Sequence, residues 1–524
     1  MRLLLSRSAR ALWPVLLLLV AAPLQARWHE AQTDHFVIYA DDRPEDVEEF
    51  ARLLESYHAA LELLTGRAMK DVSPSNRLVI FAVGNARDLR RLAGGDHYLQ
   101  GFYIPRAGSS RAYVQDVKIN RSELDPSMQT LLHEYAHHFL ISQSRFAMPR
   151  WMSEGAAEFF SSAQFPNSGN VSVGRPAIHR AAELRYAAEV PIGELLDSDL
   201  YNAKKRTVYD AFYGRAWLLY HYLFFSDDRK GQMAAYIRHL MGGMTALNAA
   251  QAAFGDLKQL DKDLDRYAKS RRMMAFNLTP DMLPPPAAVT VRPLSEGHAA
   301  VMPLIIRSQK GVNREEAAKI VSEARQIAAR FPNDAQAQAA LAEAEYDAGD
   351  DARAIAAADR AIALDPKVTN AYVQKGYALF RQAAEAENAD TAYKAAMGPF
   401  TQLNRLENDH PLPLIYYYRS FTARGMEPTE TARHALERAA ELAPFDQGLW
   451  FEAGLMQASE GKIAIAISSL SPIAGDPHGG RFAATAASLI RAMEQAPEGE
   501  PFDPAPVLAE ANRAAEAAVG AGTE

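Results

Sequence analysis

Hydrophobic and polar positions alternate with two different textures along the chain. In the first half, short strand-like runs are mixed with longer helical ones. Phe36-Val37-Ile38-Tyr39 follows His35 with polar–apolar alternation and predicts a strand, His35 being read as a surface residue at its end. Leu78 to Val83 is continuously apolar and of strand length, as expected of a strand buried on both faces. Phe102-Tyr103-Ile104 and Arg111-Ala112-Tyr113-Val114 flank a Pro-Arg-Ala-Gly-Ser-Ser turn and read as a hairpin. Helical spacing takes over from Pro44 to Thr65, stopped by Gly66, and again after Asp125-Pro126, where a cap residue precedes proline. A further helix follows Pro149, and an apolar one beginning at Thr207 reaches Phe225. Leu283-Pro284-Pro285-Pro286 breaks the pattern, and Val289-Thr290-Val291 beyond it is a strand candidate packed back on the first half.

The second half is helical throughout and repeats itself. Prolines that close helical pairs fall at Pro332, Pro366, Pro411 and Pro444, with spacings of 34, 45 and 33. A period near 34 is that of tetratricopeptide repeats, helix pairs that bury a continuous core only by stacking. Gly349, Ala354 and Ala361 mark one unit, Tyr372 and Gly376 the next, Ala432 and Ala439 a third, Gly454 and Ala466 a fourth. The long spacing reads as an insertion near Glu385 to Thr391, and the Ala- and Glu-rich tail after Gln495 as a capping helix or disorder.

The candidate chemistry lies in the first half. Leu131-Leu132-His133-Glu134-Tyr135-Ala136-His137-His138 contains HExxH. On a helix, residues four apart share a face, so His133 and His137 can offer two imidazoles to one metal, with Glu134 beside them to take a proton from water. Buried among leucines and aromatics without a partner, these groups would cost several kcal/mol, a cost that a metal removes. A catalytic zinc wants a third protein ligand and an open position. Glu154 and Glu158, four apart in Trp151-Met152-Ser153-Glu154-Gly155-Ala156-Ala157-Glu158, both compete for that place.

Trp151 to Phe160 resembles the W-L-x-E-G-x-A-E segment of gluzincin metallopeptidases, the superfamily with HExxH and a later glutamate. The resemblance is sharp at these two motifs and loose over the rest of the first half. It implies zinc, one per chain, held by His133, His137 and Glu154, with Glu158 orienting a ligand histidine, His133, from behind. It also implies a small sheet before the active helix whose edge strand pairs with substrate, for which Arg111 to Gln115 is the candidate. In aminopeptidase-like relatives a tyrosine donates to the oxyanion some sixty residues beyond the ligand glutamate. Tyr213 is preferred for that role and Tyr209 is the alternative; a plain aromatic core stripe is the rival for both. The G-x-M-E-N segment of the aminopeptidase branch is missing between Gly101 and Pro126, which favours an endopeptidase. His179, His221 and His138 are given no role.

Charge and composition narrow the classes. Met1 to Ala26 reads as a signal peptide, with Arg2, Arg7 and Arg10 ahead of an apolar run from Ala11 to Ala22 too short to span a bilayer comfortably; an uncleaved anchor is the rival. Without those arginines, 53 basic residues face 64 acidic ones, a net charge of −11, which argues against nucleic acid and anionic membrane surfaces as partners. Stable membrane insertion after leader cleavage is not expected. With no cysteine, thiolate sites and disulfides are excluded.

The expected architecture is α+β followed by all-α. A signal peptide over 1–26 precedes a gluzincin-like metallopeptidase domain over 27–282, with a small sheet and a helical active-site lobe. A proline-rich linker or packing segment over 283–311 leads to a tetratricopeptide superhelix over 312–492 and a tail over 493–524. The expected function is an exported, periplasmic or extracellular bacterial zinc peptidase acting on peptides or proteins. Its repeats are expected to hold substrate or a protein partner and not to catalyse. The alternatives are a catalytically silent tetratricopeptide scaffold in a cell-envelope complex, and a hydrolase of some other amide.

Overall fold

Three-to-five-residue strands cannot stand alone, and six of those described pool into one mixed sheet. The strands, in chain order, are β1 (His29–Gln32), β2 (Phe36–Ala40), β3 (Leu78–Ala82), β4 (Phe102–Ile104), β5 (Arg111–Val114), β6 (Val171–Val173), β7 (Phe276–Leu278) and β8 (Thr290–Pro293). The main sheet runs β4-β5-β3-β2-β1-β8, while β6 and β7 form a separate pair. β2 and β3, and β3 and β5, pair in parallel, and the other neighbours are antiparallel. The computed structural model describes residues 28–521 apart from 70–71, 96–98, 122, 143, 145, 205–207, 286 and 477. The proposed leader, Thr207 and Pro286 therefore lie outside the described residues.

The alternation of β2 explains the layering. Phe36, Ile38 and Ala40 are fully buried and pack with Phe50, Leu54 and Tyr57 of the Pro44–Thr65 helix. Burying each such side chain contributes about 1.5–3 kcal/mol, which holds helix and sheet together. The Pro126–Ser142 helix joins the same layer through Tyr135 and Phe139. On the other face, Phe81 and Tyr113 pack against Leu89, Leu92, Met302 and Ile306.

Met302 and Ile306 belong to the Glu296–Gln309 helix, so the segment after the proline break is built into the first half: β8 pairs with β1, and the helix covers the sheet. The sheet corrects one expectation. β5 lies between β4 and β3, with all four of its residues buried, so the edge near the HExxH helix is β4 and not Arg111 to Gln115. The hairpin of β4 and β5 is local and forms as expected, whereas the parallel partner of β5 is a long-range choice that local pattern does not encode.

The second half is a stack of tetratricopeptide-like helix pairs. Ala335–Asp347 pairs with Asp351–Leu364, Thr369–Ala384 with Ala389–Leu406, Pro411–Thr422 with Glu430–Leu442, and Gln447–Ser459 with Ile463–Ala474. The small residues are steric requirements. A Cβ on Gly376 would lie 2.6 Å from the Phe400 ring, and one on Gly454 would lie 2.9 Å from Leu470. The tail forms the Ala505–Ala521 helix, whose Val507 and Leu508 pack on the last core cluster. Among the described residues, no helix is long and apolar enough to cross a membrane.

Candidate metal centre

The HExxH helix starts where proline and aspartate put it. Asp125 Oδ1 accepts from the backbone N–H groups of Ser127 (2.8 Å) and Met128 (3.0 Å), ahead of a helix running Pro126–Ser142. Its His133 and His137 face the Arg150–Ser161 helix, which is buried along nearly its whole length. That second helix crosses the Phe212–Phe225 helix closely. A Cβ at position 155 would sit 2.5 Å from the Ala216 carbonyl oxygen, so the residue after Glu154 has to be Gly155.

The crossing brings three ligand atoms together. His133 Nε2 and His137 Nε2 are 3.1 Å apart, and Glu154 Oε2 lies 3.4 Å from each. Among the described residues, these three form a group whose ligand atoms all lie within 4.8 Å of one another. Glu154 is 0% exposed, and neither of its oxygens has a well-directed hydrogen bond. A buried carboxylate left in that condition is strongly unfavourable unless a cation shares the site. Tetrahedral zinc, with bonds of about 2.0–2.1 Å, sets its ligands about 3.3–3.4 Å apart, close to the observed triangle. The residues fit the ion.

The remaining ring nitrogens are occupied from behind. His133 Nδ1 lies 3.3 Å from Glu158 Oε1, and His137 Nδ1 lies 3.2 Å from Ser153 Oγ. Such partners hold the proton on Nδ1 and leave the Nε2 lone pairs for a metal. Glu158, 1% exposed, is itself anchored by Arg180 at 2.5 Å and His179 at 2.6 Å. Burial disfavours a charged imidazole, yet Glu154 and Glu158 push His133 up to about 10. Burial also works against both carboxylates, but the facing histidines, with Arg180 beside Glu158, hold the two well below the usual range. A proton and a metal ion are alternative occupants of this anionic triangle.

Glu134 follows His133, is only partly buried, and contributes to the field at Tyr103 and His478. The two candidate tyrosines separate. The helix begins at Phe212, so Tyr209 precedes it, is 66% exposed, and donates to Glu183 at 2.7 Å. Tyr213 is half-buried under the Arg180 guanidinium, 4.8 Å from its ring; burial and the Glu154 charge raise its hydroxyl.

Three neighbours escaped the sequence reading. His179 and Arg180 sit together in a 3₁₀ turn and grip Glu158, although nothing in their local pattern marks a site. His478, from the repeat half, lies 2.9 Å from Glu154 Oε1. His221, by contrast, is fully buried and meets the Tyr267 hydroxyl and the carbonyls of Gly174 and Met274, a structural residue.

Residues 127–241 match the model of a family described as a protein of unknown function, DUF1570, a stretch that includes both motif helices. No curated protein matches the chain. Among solved structures, a thermophilic TPR protein of Thermus thermophilus is similar at 14% identity and a TM-score of 0.30, over 34% of this chain and 92% of that one. The MamA RS-1 ArsTM double mutant is similar at 16% identity and a TM-score of 0.25, over 38% of this chain and 96% of that one.

Proposed function

We propose that the chain is an exported zinc-dependent peptidase of gluzincin type, with an endopeptidase preferred, whose repeats hold substrate or a partner. The observation that carries this reading is the triangle of His133, His137 and Glu154, with a fully buried carboxylate that has no well-directed hydrogen bond. Zinc held by these three would supply Lewis-acid polarisation and make water a nucleophile near neutral pH. Glu134, next to the ligand His133 in the motif, would take the proton of the attacking water and pass it to the leaving amine. Tyr213 is the group for the developing oxyanion, and Glu158, with His179 and Arg180 behind it, fixes the His133 ring.

Two surfaces support a peptide as substrate. β4 is an edge strand beside the HExxH helix, so its outward backbone groups can pair with an extended chain. A cleft of about 1030 Å³, lined by Phe146 to Arg150, by Asp197 and Leu240, and by the Ile463–Ala474 and Gly480–Met493 helices, is large enough for several side chains; the residues of the metal triangle do not line it, so it offers a binding surface apart from them. The export part of the proposal rests on the leader pattern alone.

The test is hydrolysis of unstructured protein and peptide-library substrates by the full chain, beside Glu134→Gln. The expected result is cleavage that chelator stops and zinc restores, lowered about 10²–10⁴-fold in the variant, which keeps its zinc. Stoichiometric zinc with no cleavage across the panel, together with a stable protein partner captured by the repeats, would replace this reading with the scaffold one.

A further inference from the structure

Glu154 has two oxygens, and the site uses them differently. Oε2 faces the two imidazoles, while Oε1 points the other way and is equally shut off from solvent. The side chain that reaches Oε1 from the repeat half is His478, whose Nε2 is 2.9 Å away without hydrogen-bond direction and whose ring stands edge-on to His137 at 6.0 Å. His478 belongs to the second half of the molecule, in the connection between the Ile463–Ala474 and Gly480–Met493 helices.

That connection is held in place. Asp476 accepts from the backbone N–H of His478 at 2.8 Å and from Gln447 Nε2 at 2.5 Å. Gly475 lies so close to the segment before the Glu154 helix that a Cβ there would be 3.1 Å from Ala147 Cα and from the Met148 nitrogen. The same half is tied to the first at other points. The Ala107 N–H donates to Asp446 (2.8 Å), Asn76 Nδ2 donates to the Leu442 carbonyl (2.7 Å), and the Phe445 ring is 4.6 Å from His138. The loop is thus the inner end of a built interface.

We propose that His478 is a positioning residue of the metal site: it holds the outer oxygen of Glu154, keeps Oε2 on the two imidazoles, and makes the repeat half a structural part of the metal centre. The inference rests on the metal reading above. A carboxylate turns easily about its last torsion and can bind a metal through one oxygen or both. Fixing one oxygen from the far side selects the single-oxygen mode, the work that outer partners of metal ligands do elsewhere. His478 is 54% exposed, so the ring is not packed into this position by a core; its contact with Glu154 and the short loop place it there. The repeats then do more than hold a partner, because a shift of the last helix pairs would act on a metal ligand directly.

The experiment measures the Zn²⁺ and Co²⁺ dissociation constants of the full-length chain by chelator competition, with metal-bound imidazoles counted by X-ray absorption. His478→Ala is expected to weaken both metals about 10–100-fold, and His478→Gln, which retains a donor, to recover most of the loss. Gly475→Leu, which lifts the loop from Ala147 and leaves His478 in the chain, is expected to weaken binding as well. His434→Ala, an exposed histidine elsewhere in the repeats, should bind as the unmutated chain does. Two imidazoles on the metal are expected. Unchanged affinity in His478→Ala, or a third imidazole on the metal, would overturn the positioning role while leaving the metal site intact. A chain that binds neither metal in any form would instead remove the metal reading, and this inference with it.

Discussion

One helix carries two kinds of buried histidine. On the face toward the Glu154 helix, His133 and His137 meet carboxylates, which without a metal push His133 up to about 10 against the effect of burial. On the other face, His138 meets the Tyr103 hydroxyl at 2.6 Å and the Phe445 ring. His58, across from it, meets the Tyr135 hydroxyl at 2.7 Å and stacks on His35, whose Nδ1 is 2.8 Å from Glu55. Burial pushes both His58 and His138 down to about 3, so they stay neutral. Burial is common to both faces. What separates them is the charge close at hand: His58 and His138 bond neutral hydroxyls, with the half-buried Glu62 3.4 Å from the other His58 nitrogen, whereas His133 and His137 face carboxylates that are almost wholly buried.

The widest separation is expected from adjacent substitutions. His137→Ala should abolish stoichiometric zinc binding with little loss of stability, whereas His138→Ala should retain zinc and cost about 3 kcal/mol by removing one partner of Tyr103 and leaving a void against Phe445. Metal analysis paired with denaturant unfolding reads both; zinc loss in His138→Ala would erase the distinction. Next in size, Tyr213→Phe should lower kcat about 10²–10³-fold with KM little changed, while Tyr209→Phe, on an exposed ring that bonds Glu183, should behave as the unmutated chain in the same steady-state assay.

A smaller effect is expected behind the ligands. Glu158→Gln should weaken zinc about 10–100-fold by chelator competition without abolishing it, since His133 loses its orienting carboxylate and keeps its Nε2. The smallest effect is a pH dependence with opposite signs on the two faces, read in the metal-free chain. His58 and His138 sit below the ordinary value of about 6.5, so their contribution is present above that pH and lost as pH falls toward 3. His133 sits above it, so its pairing contributes fully below 6.5 and is lost as pH rises through 10. His58→Asn and His138→Asn should flatten the acid limb of a melting-temperature profile and leave the alkaline limb alone. An unchanged acid limb would contradict the assignment of neutral rings.

Much of this was legible because it is local. HExxH spacing fixes His133 and His137 on one face, and the Asp125-Pro126 start fixes where the helix begins. The repeat period and its small residues, Gly376 and Gly454 among them, follow from the contact distance of paired helices. What was not legible is long-range. The order β4-β5-β3 depends on a parallel partner chosen across the chain, so nothing local tells which strand of the hairpin is the edge, and the expectation from the resemblance falls on the wrong one. His35, read as a surface residue, is 18% exposed because His58 arrives beside it from the next helix. His179 reaches Glu158 through a turn with no motif of its own, and His478 arrives from a repeat connection far along the chain. Interfaces between distant segments leave no period to read.

The central claim is that His133, His137 and Glu154 hold one metal ion. The most direct test is zinc per chain in the purified protein, beside Glu154→Ala and with the unmutated chain also measured after incubation with zinc. The account predicts one zinc per chain, lost in Glu154→Ala. No zinc in the unmutated chain even after incubation, or undiminished zinc in Glu154→Ala, would contradict it.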